Sequence, residues 1–79
     1  MTTFPPTEWW HIFEYDDDEI VAGYRDYRPG DPEPGANHSD GYRWGWINRR
    51  KDTTHAPDGY EPVRYAYIRN ARLLDGRVH

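Results

Sequence analysis

Between Arg28 and Ser39 the chain reads RPGDPEPGANHS, and no other stretch does more to limit the folds open to it. Its three prolines lack the backbone N–H that a helix or central strand needs, and two glycines sit among them. No regular element crosses such a segment. The chain on either side must form separate elements joined by an extended loop.

Before the loop, Ile20, Gly23, Tyr24 and Tyr27 fall at i, i+3, i+4 and i+7, which predicts a helix from about Asp17 to Tyr27. Asp16 and Glu19 have capping-box spacing, and Arg25 and Arg28 suit the negative end of the helix dipole. After the loop, Ser39 reads as the N-cap of a second helix, DGYRWGWINRRK, whose last turn carries Arg49, Arg50 and Lys51. Both helices hold a glycine next to an aromatic, Gly23-Tyr24 and Gly45-Trp46. An interior glycine costs roughly 0.5–1 kcal/mol relative to alanine. The compensation expected is close approach of two antiparallel helices, with Asp16 to Glu19 lying beside Arg49 to Lys51.

The flanks read as strands. In EWWHIFEY, Trp9, His11, Phe13 and Tyr15 share one face of a strand; a short helix capped by Thr7 is the other reading. In EPVRYAYIRN, Val63, Tyr65 and Tyr67 alternate with Arg64, Ala66 and Ile68, and Asp75-Gly76 could turn a hairpin. The fold class expected is therefore α+β: one domain, residues 1–79, with a two-helix hairpin packed on a small antiparallel sheet. In a chain of 79 residues the core is small, and the four Trp, seven Tyr and two Phe must supply most of it.

Charge is uneven along the chain. Residues 1–40 hold ten acids against two arginines, −8, and residues 41–79 hold eight bases against four acids, +4. Asp16, Asp17, Asp18 and Glu19 stand in one run, with Glu14, Asp31 and Glu33 nearby. The run reads either as a helix start whose acids serve the dipole and are screened by Arg49 to Lys51, or, since one cap and one first-turn acid suffice to start a helix, as a surplus forming an acidic face that meets a basic protein surface. The competing site is basic and aromatic: Arg43, Trp44, Arg49, Arg50 and Lys51 combine stacking surface with phosphate-binding charge, the combination used on single strands and RNA.

Other chemistry finds no support in the residues. Cysteine is absent, which excludes disulfides and thiolate metal sites. The four histidines are scattered without metal-ligand spacing, DDDE lacks the spacing of a calcium loop, and His38, Ser39 and Asp40 are contiguous where a triad needs assembly in space. No cofactor, no metal and no catalytic site are expected. No run approaches the ~18 apolar residues of a membrane span, and the first residues lack the pattern of a secretory signal, so a cytoplasmic protein is expected.

From Asp17 to Lys51 the chain resembles the ribosome modulation factor family. The likeness lies in Gly23-Tyr24 on the first helix, a polar loop, then Tyr42 and Gly45-Trp46 on the second. It implies a compact helical hairpin and binding to RNA or the small ribosomal subunit. This chain differs in its acidity, its loop and its aromatic flanks. In kind, though through no residue motif, a short acidic chain without cysteine or catalytic signature also resembles the phage-type inhibitors that include anti-CRISPR proteins. That likeness implies steric block or charge mimicry against a nucleic-acid-handling complex.

Overall fold

The computed structural model describes residues 2–78, with side chains through residue 72. All its regular elements are helices: α1 (Trp9–Phe13), α2 (Asp17–Asp26), α3 (Asp40–Thr54) and α4 (Glu61–Val78). No strand occurs among the described residues, so the expected α+β fold with an antiparallel sheet is corrected to an all-helical one.

Both segments expected as strands are helical, each for a local reason. At α1, the His11 Nδ1 accepts from the backbone N–H groups of Thr7 and Glu8, which closes the first turn. Trp9 and Phe13, one turn apart, then meet edge to face at 5.6 Å, and Ile12 turns inward. At α4, the Glu61 carboxylate accepts from the N–H groups of Asp58 and Gly59, and the Asp58 carboxylate accepts from Tyr60 N–H. These bonds organise the turn before the helix, and Pro62 is tolerated in a first turn where its missing N–H is not needed. Val63, Ala66, Tyr67 and Asn70 then form the inward stripe, whereas Tyr65, which a strand would place with Val63 and Tyr67, is 64% exposed. Asp75 and Gly76 continue α4 and do not turn a hairpin.

The two central helices lie where the sequence puts them. Asp16 caps α2 by accepting from Asp18 N–H at 2.8 Å, and Ser39 caps α3 by accepting from Tyr42 N–H at 3.2 Å. α3 runs one turn past Lys51 and stops at His55, which takes a left-handed conformation with φ 58°. It is the axis of the fold, with Trp44, Trp46 and Ile47 buried at 3%, 4% and 0% exposure. A helix buried on several sides needs cover on each. α2 covers its glycine face, Tyr27 from the loop packs edge-on to Trp46, and Tyr60 packs edge-on to Trp44. Ile12, Tyr15 and Val63 complete the core.

The glycines set the α2–α3 spacing, as their sequence positions predict. A Cβ on Gly45 would run into the Ile20 carbonyl, 2.7 Å from its carbon; one on Gly23 would run into the Tyr42 carbonyl, 2.8 Å from its carbon. The direction of the pair differs from the expected antiparallel one. Gly41 lies against the Asp16 carbonyl, Gly45 against that of Ile20, and Arg49 donates to that of Tyr24 at 3.2 Å. Positions four apart on α2 thus meet positions four apart on α3 in ascending order, so the helices cross with their N-terminal ends together. The 27–39 loop makes this possible by carrying the chain back from the end of α2 to the start of α3.

Candidate functional site

The reversed crossing separates the two charge clusters that the sequence would have paired. Asp16, Asp17, Asp18 and Glu19 occupy the first turn of α2 beside the start of α3, and all four are exposed. Arg49, Arg50 and Lys51 stand at the other end of the crossing and have other partners. Arg49 lies over the Tyr24 ring at 5.1 Å, Arg50 pairs with Glu33 at 3.0 Å, and Lys51 pairs with Glu61 at 2.9 Å. Mutual screening of the two clusters is therefore not how this fold uses them.

The basic and aromatic set is committed within the fold. Trp44 is 3% exposed, wedged between Tyr60 and the Arg64 guanidinium, the latter 5.4 Å from its ring. Arg43 lies over Phe4 at 4.1 Å with its Nε buried. Arg64 donates to Asn48 Oδ1 at 2.7 Å and pairs with Asp58 at 2.8 Å, which fixes the turn before α4 to the middle of α3. Stacking of a base on Trp44 would require opening the core.

The acidic set divides. Asp16 is engaged as the N-cap of α2, and Glu33 is engaged with Arg50. Glu14, Asp17, Asp18, Glu19 and Asp31 are exposed and take part in no ion pair among the described residues. Asp16, Asp17 and Asp18 border an open depression of about 420 Å³ whose other walls include Ile12, Phe13 and Tyr67. Phe13 is 47% exposed, so exposed aromatic surface adjoins the carboxylates, and Trp10 on the same short helix is 48% exposed. The aromatic component of this face lay in the sequence segment EWWHIFEY, but a strand reading gave no means of placing it beside Asp16 to Asp18.

Four ionisable groups are shifted by their surroundings: Asp52 and Asp26 accept from the hydroxyls of Tyr24 and Tyr42 and raise both phenols, and two others tie segments together. Two backbone N–H groups and the Lys51 ammonium hold the Glu61 carboxyl down at about 2, with the N–H of Asp58 the largest influence. Burial pushes the Tyr15 phenol up, and its hydroxyl donates to the Thr3 carbonyl. Both are structural: Glu61 ties α4 to the end of α3, and Tyr15 ties the N-terminal segment to the core. Among the described residues no group of three or more His, Asp or Glu side chains is placed to hold a metal ion, and no helix is long and apolar enough to cross a membrane. Compared with protein-family models, with curated proteins and with solved structures, the chain finds no match.

Proposed function

We propose that this chain is a non-enzymatic cytoplasmic binding protein that docks its acidic face on a basic surface of a nucleic-acid-handling protein complex. It would block that surface sterically or by charge mimicry, in the manner of anti-CRISPR proteins. The observation that carries this reading is an asymmetry. Glu14, Asp18 and Glu19 are exposed without ion-pair partners, while the basic residues of α3 are held by Phe4, Tyr24, Glu33 and Glu61. Unpaired surface carboxylates cost little in water and raise the rate of encounter with a basic partner. Exposed Trp10 and Phe13 supply the aromatic anchors that interfaces favour. The competing reading, an RNA or ribosome binder acting through Arg43, Trp44, Arg49, Arg50 and Lys51, lacks a stacking ring at the surface of that set.

The test is affinity capture of the tagged protein from host lysate, with and without nuclease. The reading predicts a protein complex that survives nuclease and is lost with Asp18→Lys combined with Glu19→Lys, an effect of about tenfold or more on association. RNA or ribosomal subunits released by nuclease, with binding abolished by Arg49→Glu and Arg50→Glu but indifferent to the acidic substitutions, would overturn it.

A further inference from the structure

α2 and α4 both flank α3 and leave a groove of about 470 Å³ between them. Trp44 and Asn48 of α3 line it together with Ile20 and Val21 of α2 and Tyr67 and Ile68 of α4. Val21 is 49% exposed and Ile68 40%, so apolar side chains stand open in a chain with few aliphatic residues to spend. Three charged residues also line the groove: Asp17, Asp52 and Arg64. Arg64 is neutralised by Asp58, which leaves the groove acidic.

The complement of this groove lies on the same molecule. On the outer face of α4, Tyr65, Ile68, Arg69 and Arg72 fall at i, i+3, i+4 and i+7 and line a second depression of about 480 Å³. Tyr65 is 64% exposed, and both arginines are exposed and take part in no ion pair among the described residues. Ile68 belongs to both surfaces, so the apolar acidic groove and the apolar basic stripe are adjacent across one side chain.

We infer that the occupant of the groove is a second copy of this chain, in a two-fold dimer built about Ile68. In an isologous interface each contact is made twice, so a surface carrying a patch and its complement side by side satisfies both at once. Tyr65 and Ile68 of each copy enter the apolar part of the other's groove, and Arg69 and Arg72 of each meet the acids of the other's rim, Asp17 and Asp52. None of Glu14, Asp18 and Glu19 lines the groove, so the substitutions that test the dimer are not those that test the acidic face. The inference therefore stands or falls separately from the acidic-face reading.

Sedimentation equilibrium of the full chain at low salt decides it, with helicity by circular dichroism as the control for folding. The expected result is a concentration-dependent shift from the 9.4 kDa chain mass to twice that value. Ile68→Asp yields monomer. Asp17→Arg with Asp52→Arg weakens the dimer by about tenfold or more, as does Arg69→Asp with Arg72→Asp, and combining all four in one chain restores it. A wild-type monomer up to about 1 mM, the weak limit of specific association, overturns the inference. A dimer indifferent to Ile68→Asp and to the charge reversals overturns it equally.

Discussion

Replacing Gly45 with alanine places a methyl group against a part of the structure that cannot move aside by itself. The added Cβ meets the carbonyl of Ile20, with its carbon at 2.7 Å, and that carbonyl is backbone within α2. Ordinary carbon–carbon contact needs roughly 3.5–4.0 Å, so α2 and α3 must part by about 1 Å. Separation along the whole crossing strains the Gly23 contact with Tyr42 and the bond from Arg49 to the Tyr24 carbonyl. Overpacking of a close-packed contact costs about 1–3 kcal/mol, and a rigid backbone obstacle belongs at the upper end. Alanine returns about 1 kcal/mol of helix propensity, which leaves a net loss of about 2 kcal/mol. For a domain of this size that is a fall in Tm of about 8–16 °C. Thermal unfolding followed by circular dichroism measures it, with Gly35→Ala as the control. A Cβ on Gly35 meets only the Asn37 side chain, at 3.6 Å, so that variant stays within about 0.5 kcal/mol of wild type. A Gly45→Ala protein that melts at the wild-type temperature or above would refute the close-approach argument.

Two further predictions concern the ends of α3 and α4. His55 closes α3 with φ 58°, a conformation that glycine adopts without steric penalty, so His55→Gly raises stability by about 0.5–1 kcal/mol in a denaturant titration. The Glu61 carboxyl is held at about 2, below its ordinary 4.5, so its contribution is fully present above pH 4.5 and is lost as pH falls toward 2. Glu61→Gln removes that dependence, so acid titrations of the two proteins should lie a constant distance apart above pH 4.5 and converge as pH falls from 4.5 toward 2.

Much of the centre of the fold is legible in the residues. The prolines of the 28–39 segment, the caps Asp16 and Ser39, and the glycines at 23 and 45 are local signals whose physics does not depend on the rest of the chain. The direction of the crossing is not local. Gly23 and Gly45 permit close approach in either sense, and a 13-residue loop between α2 and α3 is long enough to reach either end. The flanks fail for a different reason: Val63, Tyr65 and Tyr67 alternate, but Val63 and Tyr67 are also one helical turn apart, so five residues fit both periods. What decides is the length of the run, 18 residues from Glu61 without a break, and the bonds from Asp58 and Glu61 that begin it. The candidate site follows the same division. The exposure of the acids near Asp18 follows from a helix start, whereas the burial of Trp44 depends on Tyr60 and Arg64, contacts available only once α4 is a helix.

Trp44 and Trp46 of α3 are core, which leaves the acids of α2 as the exposed face. Hydrogen exchange of the tryptophan indole N–H groups, resolved by nuclear magnetic resonance, tests this most directly. Trp44 and Trp46, at 3% and 4% exposure, should exchange only through opening of the fold, orders of magnitude more slowly than half-exposed Trp10. A Trp44 indole that exchanges as fast as that of Trp10 would contradict the account, and would return Trp44 with Arg49, Arg50 and Lys51 to the surface as a nucleic-acid-binding site.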